Sequence, residues 1–273
     1  MKLIVTSSED PASMNIRKRL LEMNDWSDGG LFAGHPVLAY DEFIMAQVDR
    51  IHLDEDHIDG RVASELGKSI STTIFVSRHS SESRIPTLTA HPVGNYSKAD
   101  FGGLDGRLSP SSPHLMTEAL RVLTRNACDL DFKISFETTH HGPLTDGPAF
   151  YIEIGSCEEF WTREDAAEAI AKTILETDEK SHPIAICVGG GHYAPRFTEL
   201  ALSRKVAIGH MAANYALDSL DDDMIEQMAA KSGDAKHVYF HRKGMPKANY
   251  RALQERFSSL GIDEVRSDDF EPL

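Results

Sequence analysis

Four histidine-bearing stretches stand directly after runs that suit β-strands. His79 follows the apolar run Thr72–Ser77, His140 and His141 follow 132–139, His192 follows Ile184–Val188, and His210 follows Val206–Ile208. Loops that leave the carboxyl ends of parallel strands share one edge of a sheet, so these imidazoles can converge. His91 and Glu153 are candidates to join them. Two chemistries fit. An imidazole, with an unperturbed pKa of ~6.5, can act as general base on water. Alternatively, two or three of these side chains can hold zinc, which binds neutral imidazole and carboxylate and lowers the pKa of bound water to ~7. Spacing does not decide between them, because no HExxH arrangement occurs. His140 and His141 would face opposite ways in a strand and share an ion only on a turn.

The stretch Pro183–Glu199 adds a second feature. Five apolar residues lead into Gly189, Gly190 and Gly191, then His192, Tyr193 and Arg196 ahead of a predicted helix. Glycine lets a ligand approach the backbone closely, and the three amides are candidates to receive an oxyanion. The run lacks the spacing of a dinucleotide fingerprint or phosphate loop. A nucleophilic side chain is not expected: there is no G-x-S-x-G elbow, Cys157 sits among acids that disfavour thiolate, and Cys187 lies in an apolar run.

The elements that must position these residues alternate between strand and helix. Strands are expected at 2–6, 37–40, 43–45, 48–53, 72–77, 87–91, 132–139, 149–154, 184–188, 206–208 and 238–240. Helices are expected at 14–22, 61–66, 113–125 (capped by Ser112), 163–176 (capped by Thr162), 197–202 and 250–260. Residues 25–34 and the long piece 100–113 read as loops, and 54–57 as a solvated acidic turn. The alternation predicts an α/β fold, a mostly parallel mixed sheet flanked by helices, in one domain over 1–273. In 132–136 the apolar residues alternate with Lys133 and Ser135, a half-buried strand whose pattern puts Glu137 on the polar side.

The 41% hydrophobic content supplies a core, and no apolar run approaches the ~18 residues of a membrane span. Three cysteines without a CxxC pair point to a reducing, cytoplasmic setting. A net charge of −15 opposes nucleic-acid binding over the whole surface. It leaves room for a local basic patch from Lys236, His241, Arg242, Lys243, Lys247, Arg251 and Arg256, with Arg196, Arg204 and Lys205. Neither a membrane nor DNA is expected as a partner, and the chain is expected to be a monomer.

Six blocks resemble the archaeal and plant type of D-aminoacyl-tRNA deacylase: Ser77-Arg-His-Ser-Ser81, Ala99-Asp-Phe-Gly-Gly103, Thr138-Thr-His-His-Gly-Pro143, Ala149–Gly155, Val188–Arg196 and Gly209-His210. The resemblance implies hydrolysis of the ester joining a D-amino acid to the 3′ end of tRNA. It also implies a fold similar to the phosphorylase and peptidyl-tRNA hydrolase group, and zinc. The blocks carry over onto Arg78, His79, His140, His141, Glu153, His192, Tyr193, Arg196 and His210, and the roles are assigned from side-chain chemistry: His140, His192 and His79 are expected to be catalytic. Gly189, Gly190, Gly191, Tyr193, Arg196 and Arg78 are expected to bind substrate, and His141, Glu153 and His210 to bind metal. Two rivals stay open: a zinc amidohydrolase or peptidase on a small substrate, and a non-catalytic tRNA- or nucleotide-binding protein.

Overall fold

The computed structural model describes residues 1–273. Strand β1 (Lys2–Ser7) is buried along its whole length, as an apolar strand covered on both faces must be. Helix α1 (Pro11–Met23) follows. The Asp10 side chain accepts from the Ser13 amide at its start, and Pro11 takes a position where no amide donor is needed. Strands β2 (Ser27–Phe32), β3 (His35–Tyr40) and β4 (Phe43–Val48) form an antiparallel meander. β2 falls where the sequence reads as loop: an edge strand pairs through its backbone and needs little side-chain burial. Residues 49–53, expected to be strand, turn instead into a short 3-10 helix, His52–Asp54.

Helix α2 (Ile58–Leu66) ends at Gly67, whose φ of 61° suits glycine. The acidic stretch before it is more than a solvated turn. The Asp56 carboxylate accepts from the Leu144 amide, and the His57 amide donates to the Leu144 carbonyl (both 2.7 Å). This fastens the loop that follows His140 and His141. Strand β5 (Thr72–Ser80) runs three residues past the expected end, so His79 stands on the strand itself. Then come β6 (Thr87–Pro92), α3 (Pro113–Asn126), β7 (Lys133–Phe136), β8 (Ala149–Ser156), α4 (Glu158–Trp161) and α5 (Glu164–Glu176). Neither Ser112 nor Thr162 caps its helix with a side-chain bond; Arg163 holds the cap position of α5.

These strands form an eight-stranded sheet in the order β2-β3-β4-β1-β5-β8-β6-β7. Pairing from β4 to β8 is parallel, and β6 runs antiparallel to β8. The second half is β9 (Ile184–Val188), α6 (Pro195–Ser203), β10 (Ala207–Ala212), α7 (Asp222–Ala230), β11 (His237–Phe240), α8 (Lys247–Ser259) and β12 (Asp263–Val265). Its strands form a separate, all-parallel sheet, β10-β9-β11-β12. The mostly parallel α/β architecture is therefore as expected, but split over two sheets. One apolar core joins them, with Ile4, Ile74 and Phe150 from the first sheet and Cys187, Ile208 and Met211 from the second.

Polar backbone stitches bring the two sheets' loops together. The Thr138 amide donates to His192 O (2.9 Å), and the Thr139 amide to Met211 O (2.8 Å). Thus the residues after β7 are pinned against both the β9 loop and β10. No helix is long and apolar enough to cross a membrane.

Candidate active site

Five imidazoles meet where the two sheets join. β5 supplies His79, β6 His91, the turn after β7 His140 and His141, and the loop after β9 His192. β8 adds Tyr151 and Glu153, and Glu137 stands just past the end of β7. Ring centroids lie 4.1 Å apart for His91 and His140, 4.3 Å for His140 and His141, and 4.5 Å for His140 and His192. His141 has a φ of 43°, so the chain turns there. That turn lets adjacent histidines share a site that a strand would deny them.

Three of the rings are oriented by backbone carbonyls. The Nδ1 atoms of His91, His140 and His141 lie 3.0, 2.8 and 2.7 Å from the carbonyls of Pro92, Thr138 and Gly142. A carbonyl only accepts, so Nδ1 carries the hydrogen and Nε2 keeps its lone pair for the cluster. Tyr151 stacks on His91 at 5.0 Å and holds its plane. The three buried atoms His91 Nε2, Glu137 Oε1 and Glu153 Oε2 have no hydrogen-bond partner. A buried lone pair without a partner costs ~1–3 kcal/mol, so three together mark a ligand position. Potential ligand atoms of His91, His140 and His141 lie within 4.8 Å of one another, as do those of His79, Glu137 and His192 and of His91, Glu137 and Glu153. Nitrogen and carboxylate oxygen are the donors zinc takes, so the residues fit that ion.

Electrostatics agree with a cation site. Burial, reinforced by neighbouring imidazoles, pushes His91 and His141 down to about 3 and His140 well below the ordinary value. All three are therefore neutral, the ligand form. Burial also raises Glu153 well above the carboxylate range, with the Glu137 and Asp10 carboxylates adding to it. For Glu137 burial acts upward too, but the hydrogen bond from His192 and the charge of His79 outweigh it, and the net shift is down. The two carboxylates are thus pushed in opposite directions, Glu153 up and Glu137 down; a bound cation favours ionisation of both.

A second chain of contacts leads outward. His192 Nε2 donates to Glu137 Oε2 (2.9 Å), and His79 Nδ1 faces the same oxygen at 3.3 Å. The Tyr193 hydroxyl lies 3.0 Å from His79 Nε2. With Nδ1 of His79 protonated towards Glu137, its Nε2 accepts from Tyr193. His79, Glu153, Arg78, His140, His141 and His192 all line one cavity of about 470 Å3.

Residues 66–265 match the family model described as D-aminoacyl-tRNA deacylase. The chain belongs to the D-aminoacyl-tRNA deacylase family. A protein of that name from Thermococcus kodakarensis is 34% identical, over 97% of this chain and 100% of the relative. One from Methanococcoides burtonii is 39% identical over 98% of this chain, which spans 57% of that longer protein. The crystal structure of a conserved protein of unknown function, AF0625, aligns with a TM-score of 0.92 at 31% identity, covering 100% of this chain and 99% of that one.

Within this family member, the structure brings His79, His140, His141, His192, Tyr193, Arg78 and Glu153 together, and His91 joins them. It does not bring His210. β10 continues through residue 212, so His210 lies within the strand and is fully buried. Its Nε2 donates to Ser109 O (3.0 Å) and its Nδ1 meets Thr139 Oγ1 (3.1 Å), leaving no nitrogen for a metal. Arg196 is also displaced. In the first turn of α6 it pairs with Glu199 (2.6 Å) and lines a different cavity with His241, Arg242, Lys243 and Arg266. The oxyanion assignment to the glycine run fails for two of its amides. Gly189 N donates to Ala212 O (2.8 Å) and Gly190 N to Asn214 Oδ1 (3.2 Å), so both are spent fastening the loop.

Glu137 is the main residue that the pattern missed. Alternation put it on the polar side of β7, yet it is wholly buried. α6 and the β9 loop cover that side: Thr198 Oγ1 accepts from the Phe136 amide, and residues 137 and 193 form a bridge. Its place directly before Thr138-Thr-His-His was the one available signal.

Proposed function

We propose that this histidine pocket is the hydrolytic centre of a D-aminoacyl-tRNA deacylase, cleaving the ester between a D-amino acid and the 3′ end of tRNA. The observation that carries this reading is the set of three buried, unpartnered ligand atoms on His91, Glu137 and Glu153, of which Glu153 lines the cavity shared with His79, His140, His141 and His192. His91, His140 and His141, with Glu153 facing His91 at 3.5 Å, would hold zinc. Zinc supplies Lewis acidity, making water nucleophilic near neutral pH and drawing charge from a carbonyl oxygen.

The chain's own residues handle the proton. His192 is more open than His79, His91 or His140, its side chain 33% exposed and fixed by Glu137 through Nε2. That leaves Nδ1 to take a proton as water adds to the ester carbonyl, and to pass it to the ribose oxygen when the C–O bond breaks. Glu137 orients the ring and stabilises its charged form. Tyr193, whose hydroxyl hydrogen-bonds His79 Nε2, holds the His79 ring that lines the cavity. Beyond the 3′ end, tRNA phosphates would meet the cleft formed by Arg196, His241, Arg242, Lys243 and Arg266, which adjoins the far end of the glycine loop.

The test is release of D-tyrosine from D-Tyr-tRNA, set against L-Tyr-tRNA, with zinc measured by elemental analysis. The expected result is D-selective release that chelation abolishes and zinc restores. Equal inactivity on both esters with zinc restored would refute the reading.

A further inference from the structure

A second cavity, of about 250 Å3, meets the first at His140, His141 and His192, and Phe101 borders both. An ester substrate has two arms at its carbonyl: the acyl group, and the alcohol with whatever it carries. We infer that the second cavity receives the base of the 3′-terminal nucleotide, with Phe101 as its stacking face and Tyr215 as a second aromatic in the lining. This deepens the deacylase reading and rests on it.

Three observations point the same way. Phe101 is 68% exposed and Tyr215 64%, and they are the two aromatic members of the exposed large apolar side chains; both line this one cavity. Two aromatic faces beside a reacting centre are how proteins hold an unpaired base, whatever its sequence. Second, Phe101 is held out by rigid backbone. Its carbonyl accepts from the Gly142 amide (2.9 Å), and Asn95 Nδ2 donates to the Gly102 carbonyl (2.8 Å). Gly102 and Gly103 have φ of 73° and 76°, and a Cβ at Gly102 would overlap the Leu53 carbonyl. Glycine is required there for the loop to lie against residues 53 and 142, so Phe101 is presented by design of the backbone. Tyr215 is fixed through its hydroxyl, 3.2 Å from Thr138 Oγ1. Third, the remaining lining includes Ser97 and Asp100, which can read a base edge, and Lys98, which can meet a phosphate.

The experiment uses Phe101→Ala and Phe101→Trp in the full chain, with zinc content checked against wild type. Three readouts are taken: KM and kcat on D-Tyr-tRNA, turnover of D-tyrosine methyl ester, which has no base, and fluorescence of an uncharged RNA hairpin ending in 2-aminopurine. Phe101→Ala is expected to raise KM on the tRNA roughly 10- to 100-fold with kcat little changed. It should slow the methyl ester at least about tenfold less than the tRNA and abolish the quenching of 2-aminopurine seen with wild type, while Phe101→Trp keeps all three near wild type. An unchanged KM with quenching retained overturns the inference and leaves Phe101 as a contact for some other partner. An equal loss on both esters overturns it as well, by making Phe101 merely structural. Should wild type release no D-tyrosine from tRNA, the deacylase reading falls, while the quenching still reports whether a base docks here.

Discussion

His91 and His210 are both fully buried, both sit on β-strands, and differ in one atom. His210 spends both ring nitrogens: Nε2–H donates to Ser109 O, and Nδ1 accepts from Thr139 Oγ1. His91 spends only Nδ1, on Pro92 O, and its Nε2 meets no hydrogen-bond partner. The tautomers are therefore opposite. A carbonyl sets each of them, and a carbonyl cannot donate. Around His210 every group closes on another; around His91 the unpaired atoms of Glu137 and Glu153 gather. The lesson is that burial alone does not mark a functional histidine. An unspent nitrogen beside two unpaired carboxylate oxygens does.

The largest effect should come from breaking the open region. His91→Ala removes the nitrogen that no protein group uses, together with the Nδ1 bond to Pro92 O and a buried ring, so a loss of stability accompanies it and activity is read on the folded fraction. Deacylation should fall by about 10³-fold or more, as loss of several kcal/mol of charge stabilisation implies. Zinc per chain should fall with it, while the far-ultraviolet circular dichroism stays native. Activity within tenfold of wild type at full zinc would mean that the open nitrogen is idle.

The closed region should respond in the opposite way. His210→Ala strands the Ser109 carbonyl and leaves a cavity, at a cost of about 2 to 4 kcal/mol in stability. Denaturant unfolding reads that loss, and kcat of the folded fraction should stay within about tenfold. If zinc and kcat collapse while stability holds, His210 belongs with the cluster after all.

How much of this difference the sequence carried depends on how local its cause is. That His79, His140 and His192 meet was expected, but not by the route expected: β7 runs antiparallel to β5 and β9 lies in the other sheet, so the three share no single carboxyl edge. The strand at 184–188 and the helix from Pro113 were legible from apolar periodicity. Glu137 was not, since what covers it arrives from α6 and the β9 loop, some sixty residues away. His210 was misplaced because β10 runs past Gly209. There a Cβ would strike Ser232, and Ser232 Oγ accepts from the His210 amide. Phe101 lay in a loop recognised as long, but its exposure follows from glycine contacts with residues 53 and 142 that no local pattern encodes.

Acid should sharpen the comparison on the closed side. Burial pulls His210 down to about 4. Above ~6.5 it is neutral folded and unfolded, and contributes no pH dependence. Between 6.5 and about 4 the unfolded chain binds the proton first, so stability falls as pH falls. The full penalty is about 3 to 4 kcal/mol for this group. Other buried histidines titrate in the same direction in wild type and variant alike, so the difference between the two isolates His210. The deficit of His210→Ala relative to wild type should therefore shrink from pH 7 to pH 4. A deficit that stays constant would mean His210 is not held neutral.

The smallest predicted change tests whether the two regions are separable at all. Thr139 stands between them. Its hydroxyl accepts from the Met211 amide (3.0 Å) and donates to His210, while the next residue, His140, is in the cluster. Thr139→Val keeps the shape and removes the hydroxyl, leaving the Met211 amide and His210 Nδ1 unpaired. The expected cost is about 1 to 2 kcal/mol of stability. Deacylation should change less than about tenfold, because the carbonyl that orients His140 belongs to Thr138 and is untouched. If instead zinc affinity and kcat drop in step with His91→Ala, tension is passing along the backbone from residue 139 to residue 140. The closed and open histidines would then be two ends of one network, and the unspent nitrogen would no longer suffice to tell them apart.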